Sequence, residues 1–255
     1  MRNYGYLPEK IEIGKDYVFG GFSSIGGEIL QPDGKWDAFL PQEEDQNLNG
    51  VEPFACVSFT TLNCVEIIER RMYGRTENFS DRFLATISGT KAIGGNSPQT
   101  VAEALRKKGC VRETELPFSS DINTYDEFYG GVTNELQSKA MEFPAEFEFL
   151  HEYVAPSPAQ IKEALKKSPL GVSVHAWLKD DKGLYYKPQG AQDNHFTVLF
   201  SYEEGHYWRI FDSYDNNIKF LRWDYPFGVA KRYSLKRQVV NETAWQRFIT
   251  WLRSL

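Results

Sequence analysis

The chain has 255 residues, 29 basic against 35 acidic side chains and a formal net charge of −6 at pH 7. A chain of this length, 41% apolar and 15% aromatic, removes roughly 70–75% of its unfolded surface from water, so it needs no metal or disulfide staple. Disorder, collagen-like repeats and low complexity are excluded on the same numbers, and a pI near 5.4 without a Lys/Arg run excludes the electrostatic footprint of a nucleic-acid binder.

Apolar stretches such as Phe196 to Phe200 fall far below the roughly 18 residues of a spanning helix. The first ten residues hold no apolar run or small-residue cleavage site of a secretory signal. No membrane partner is expected. Three cysteines, Cys56, Cys64 and Cys110, form no CxxC pair, which argues against a disulfide framework or a thiolate zinc site; no cofactor or metal is expected.

In chain order, residues 1 to 50 are rich in Gly, Pro, Asp and Asn and read as loop with one or two short strands. From Cys56 to Arg71 the apolar residues Phe59, Leu62, Val65, Ile67 and Ile68 recur near helical spacing. Glu66, Glu69, Arg70 and Arg71 mark the wetter side of this long, mostly buried helix. Ser80 caps a short helix that Gly89 stops. Ser97, Pro98 and Gly109 frame the next one. A further helix spans about 133 to 142, and Ser157-Pro158-Ala159-Gln160 opens another that ends by Ser168-Pro169. Beyond Pro169 the period becomes alternating, with strands near 172–176, 195–202, 206–212 and 218–223. Trp245 to Leu252 reads as a C-terminal helix. Helices first and antiparallel strands second indicate an α+β arrangement with a site in the crevice between the halves.

Cys56 opens the buried helix, where free backbone N–H groups and the helix dipole favour thiolate over thiol. A base for it must come from His151, His175, His195 or His206. The run Cys56-Val57-Ser58-Phe59 with Glu66 ten residues on, then Gly94-Gly95 with Val101-Ala102-Glu103-Ala104-Leu105, resembles the papain-like cysteine proteases. Asn194-His195, and Tyr207-Trp208-Arg209-Ile210-Phe211-Asp212-Ser213-Tyr214, extend the likeness over roughly residues 35 to 225. His195 follows Cys56 by 139 positions, inside the roughly 130–150 of the papain pattern, and Asp212 follows His195 by 17. The order Cys, His, then carboxamide or carboxylate is also that of the family.

The resemblance implies a papain-like two-domain fold: an N-terminal extension over 1–34, a mainly helical left domain over 35–145 and a barrel-like antiparallel right domain over 146–255. It implies Cys56 as nucleophile, His195 as base and then acid, and Asp212 as orienter. Gln46 is the expected oxyanion donor beside the Cys56 N–H, with Gln42 and Asn49 ranked below it. Gly94 and Gly95 would pair with the substrate main chain, and Asn194 and Phe196 would line its path. The partner implied is a peptide or protein substrate; oligomeric state is not readable. His151, His175 and His206 are expected to be structural or surface residues, and Cys64 a core residue.

Several positions depart from the family. Pro53-Phe54-Ala55-Cys56-Val57 lacks the usual half-cystine, glycine and tryptophan, Tyr214 replaces a shielding Trp, and Asp212 replaces Asn. An ionised Asp favours imidazolium and raises the histidine pKa. Two rival expectations follow, a catalytically inactive papain-fold binding protein and another Cys-His-Asp hydrolase or acyl transferase. The shortage of disulfides suits a reducing compartment, a bacterial or phage-infected cytoplasm. The stretch before the likeness is too short for a globular inhibitory domain yet long enough for an arm over the site.

Overall fold

A computed structural model describes residues 4–12, 15–21, 23–214 and 217–238. The expected helix at 245–252 lies outside the described residues. Up to residue 55 the chain is irregular, with 3-10 turns at Asp37–Phe39 and Leu48–Gly50. Trp36 ties this stretch down: fully buried, it donates its backbone N–H to the Phe200 carbonyl at 3.0 Å and its Nε1–H to the Leu165 carbonyl at 2.8 Å.

Helix α1, Cys56–Tyr73, is the long buried helix, ended by Gly74 in the left-handed region with its N–H on the Arg70 carbonyl. Phe59, Leu62, Val65, Ile67 and Ile68 are all at most 2% exposed, and such side chains are worth about 1.5–3 kcal/mol each when withdrawn from water. The polar side of α1 departs from expectation, because Glu66 and Glu69 are buried too. Glu66 accepts the Phe79 N–H at 2.8 Å, and Glu69 pairs with Arg75 at 3.3 Å. Arg70 and Arg71 bond the Leu40 and Leu30 carbonyls of the N-terminal stretch. Charged residues at helical spacing signal solvent; here Glu66, Arg70 and Arg71 satisfy backbone from other segments, and Glu69 pairs with Arg75.

Helix α2, Asp81–Ser88, is capped by Ser80 and stopped by Gly89, and α3, Pro98–Lys108, is capped by Ser97, as their sequences indicate. Helix α4, Tyr125–Tyr129, was not foreseen although Thr124 and Glu127 form a full capping box. The helix expected to 142 breaks into α5, Asn134–Ala140, and α6, Glu142–Glu146. Strand β1, Phe147–Val154, α7, Pro158–Leu165, and β2, Leu170–Val174, follow. The chain then forms β3, His195–Glu203, β4, Tyr207–Phe211, β5, Ile218–Arg222, and β6, Ala230–Arg237. The strands make one antiparallel sheet in the order β1-β6-β2-β3-β4-β5. Helix α1 packs across β2, β3 and β6, and one apolar core joins helices to sheet. This mixed α/β arrangement carries the start of α1 to the start of β3, where Thr60 Oγ1 donates to the Phe196 carbonyl at 2.9 Å.

Candidate active site

The first turn of α1 begins with Cys56, behind Ala55, which offers no capping side chain. The N–H groups of a helix's first turn lack intrahelical partners and are available to an anion. The thiol is fully buried. Burial pushes its pKa well up, Glu52 and Asp212 add to this, and the N–H groups of Phe196 and Val57 oppose it. Desolvation thus opposes the thiolate that two backbone N–H groups favour.

His195, the first residue of β3, pairs with Val174 and is fully buried. Its Nε2 lies 2.5 Å from Asp212 Oδ1 at the end of β4. Its Nδ1 is buried and has no hydrogen-bond partner among the described residues. The other carboxylate oxygen, Oδ2, lies 2.7 Å from Nζ of Lys219 on β5, itself 3% exposed. Burial disfavours the Asp212 anion, but His195 and Lys219 outweigh it and hold the carboxyl below its ordinary range. Around the imidazole stand Tyr214 at 5.2 Å, Trp177 edge-on at 5.5 Å and Tyr4 at 5.9 Å between ring centroids. Tyr214 thus covers the ring where the family commonly has Trp, and Trp177 supplies a second aromatic wall from outside that motif.

Gln46 is fully buried, held by its N–H on the Ser213 carbonyl at 2.8 Å. Its Nε2 approaches Glu52 Oε1 at 3.5 Å, while its Oε1 has no hydrogen-bond partner among the described residues. Glu52 gathers this corner, accepting the Tyr214 hydroxyl at 2.5 Å and the Phe54 N–H at 3.1 Å. Phe54 has φ of 56°, the left-handed region that non-glycine residues rarely adopt, two residues before the nucleophile position. The Tyr129 hydroxyl donates to the Pro53 carbonyl and braces the same loop.

The N-terminal segment crosses the site. Tyr4 N–H donates to the Asn194 carbonyl at 2.9 Å. Asn96 N–H reaches the Gly5 carbonyl at 2.9 Å, and Leu7 N–H the Asn96 carbonyl at 2.9 Å, giving a parallel bridge. Gly5 (φ 108°) and Gly95 (φ 76°) make the approach possible: a Cβ on Gly5 would lie 2.2 Å from the Phe54 carbonyl oxygen, and one on Gly95 1.9 Å from that of Gly5. Tyr6 stacks on Phe196 at 5.9 Å, so Phe196 faces this segment. Within the chain Asn96 makes this main-chain pairing, with Gly95 providing the space. Asn194 uses its carbonyl for Tyr4 and its Oδ1 for the Ala176 N–H at 2.9 Å.

The remaining cysteines, Cys64 and Cys110, are buried and all three thiols are free. His151 is buried against Glu103 at 3.0 Å, while His206 sits in an exposed turn. Sequence reasoning missed Tyr4, Glu52, Trp177 and Lys219, which lie outside the motif positions. The one legible hint was the Asp at 212, whose charge calls for a buried partner.

No family model matches the chain, and no curated protein matches it. Among solved structures, it resembles the digestive procathepsin L 3 of Tenebrio molitor larval midgut, at 17% identity and a TM-score of 0.57 over 78% of this chain and 68% of that one. The likeness is one of fold. It supports a papain-like fold for this mixed α/β arrangement with its antiparallel sheet. Among the described residues no helix is long and apolar enough to cross a membrane.

Proposed function

We propose that the chain is a cysteine peptidase whose helical half, to residue 145, and sheet half, from 146, are the two lobes of a papain-like fold. Cys56 Sγ attacks the scissile carbonyl, His195 Nδ1 takes the thiol proton and returns it to the leaving amine, and water then hydrolyses the thioester. Asp212 fixes the ring by holding Nε2. The Cys56 N–H and Gln46 Nε2 receive the developing oxyanion, a contribution of about 3–4 kcal/mol per donor in such sites. One observation carries this reading: the 2.5 Å bond from Nε2 to Asp212 leaves Nδ1 without a hydrogen-bond partner among the described residues, on the residue next to Phe196, whose N–H reaches the Cys56 thiol.

Tyr4–Leu7 lies where a peptide main chain would run, and substrate entry requires its displacement. The three backbone bonds it makes, at about 0.5–1.5 kcal/mol net each, are within reach of a competing peptide. Reaction with a peptidyl chloromethyl ketone or epoxide, followed by mapping of the adduct, tests the assignment. Modification at Cys56, lost in C56S and strongly slowed in H195A, is the expected result; an adduct elsewhere, or none after removal of residues 1–7, contradicts it. The buried thiol with its raised pKa favours a second reading, an inactive papain-fold binding protein, for which trimming would leave turnover absent.

A further inference from the structure

We infer that Lys219 is a positioning residue of this site, a buried cation that holds the outer oxygen of Asp212 and cancels its charge, so that a carboxylate orients His195 as a neutral carboxamide would. The inference rests on the proposed reading of Cys56, His195 and Asp212. The register of the β4–β5 hairpin sets Lys219 opposite Ile210, two positions before Asp212, and the ammonium reaches Oδ2 at 2.7 Å while Oδ1 serves the imidazole. Trp177 closes the arrangement: Lys219 Nζ lies 5.4 Å from its ring centroid, and its edge meets His195. With exposures of 0% for Asp212 and 3% for Lys219, neither charge is tolerable alone in so dry a place.

A lone carboxylate would stabilise imidazolium too strongly, making the ring a ready acceptor of the thiol proton but a reluctant donor to the leaving amine. Asp212 with Lys219 carries no net charge, yet still accepts the Nε2 proton and fixes the tautomer. In the sequence Asp212 reads as an unaccompanied anion; in the structure Lys219 accompanies it at 2.7 Å. Among the described residues, the other ionisable groups placed about this pair are Tyr4 and Tyr214, whose rings meet the imidazole, and Cys56, which feels the charges of both Asp212 and Glu52.

The test is a cycle of K219M, D212N and the double variant in the full chain. K219M is expected to lower kcat/KM at least tenfold and to move the His195 imidazole titration, followed by NMR, upward relative to the wild type. D212N alone leaves the lysine an unpaired cation and should move the titration downward, whereas the double variant, neutral as the Asp–Lys pair is, should titrate near the wild type and recover kcat/KM to within about threefold of it. A double variant that titrates with K219M, or an unmoved titration in K219M, would overturn the inference. If K219M alone fails to fold, a folded double variant by circular dichroism is the expected rescue, and a double variant no better than K219M counts against it. The titration is read without substrate, so a wild type with no peptidase turnover would end the catalytic reading while leaving the charge pairing to be judged separately.

Discussion

Two buried acidic places in this molecule meet opposite fates. Just past β4 in the sheet half, Asp212 is enclosed by His195 and Lys219 and is held below the ordinary carboxylate range. In the helical half, Asp81, Glu66 and Glu113 lie near Glu44. Burial and their mutual repulsion push Asp81 and Glu66 well up and Glu113 to about 7, against hydrogen bonds from Phe79 and Phe118 N–H groups and the charge of Arg82. Comparable burial yields an anion in one place and proton-bearing acids in the other. At Asp212 His195 and Lys219 together overcome desolvation, whereas the single Arg75 at 3.3 Å from Glu69 does not.

The comparison is broken most severely by removing the anion. Asp212→Ala leaves Lys219 buried and unpaired, and loss of one partner of such a pair commonly destabilises by about 3–5 kcal/mol. We expect a large drop in the urea midpoint together with a loss of turnover exceeding that of D212N, measured on the same preparations. Next in size is the effect of the covering segment. Deleting residues 1–7 removes three backbone hydrogen bonds, together about 1.5–4.5 kcal/mol, so turnover and Cys56 alkylation should rise roughly 10- to 1000-fold if the segment competes with substrate. Because burial is the first cause of the raised thiol pKa, the pH dependence of alkylation should shift to lower pH in the deleted form. An unchanged rate would mean that Tyr4–Leu7 does not limit access.

The smallest effect sharpens the contrast through pH. Glu113 and Glu69, both raised to about 7 from 4.5, hold protons in the folded chain that the unfolded chain releases. Their ionisation therefore erodes stability as pH rises through that window, whereas the contribution of Asp212 is complete at neutral pH and is lost only as pH falls through its lowered value. Glu113→Gln should flatten the decline between pH 5 and 7 and raise the melting temperature at pH 8 by on the order of 2–4 °C, which is worth about 1 kcal/mol in a chain this size. A steeper decline in the variant would show that the proton is held elsewhere in the cluster.

How much of this was legible in the sequence depended on the range of the cause. Ser80 with Gly89, and Ser97-Pro98 with Gly109, act within one turn of their helices and were read correctly. Strands β1 and β6 escaped notice because His151, Glu152, Lys231 and Arg232 are buried in them, breaking the alternation that marks a half-buried strand. Burial of Arg232 is compensated by Glu152 across the β1–β6 pair, a partnership no local window contains. The same holds for the site. Cys56, His195 and Asp212 stand at motif spacings, but Glu52, Trp177, Lys219 and Tyr4 matter through contacts made only after folding. The helix dipole at Cys56 was a local inference, and burial of the thiol, which no local window contains, opposes it.

The connection from β4 to β5 bears an unusual share of this arrangement. Asp212 holds the imidazole, the Ser213 carbonyl anchors Gln46, the Tyr214 hydroxyl secures Glu52, and Lys219 completes the ion pair. A local opening of this one hairpin would dismantle all four supports together. Mild heat or denaturant should therefore extinguish the chemistry abruptly, in a single cooperative step that precedes the melting of helix α1.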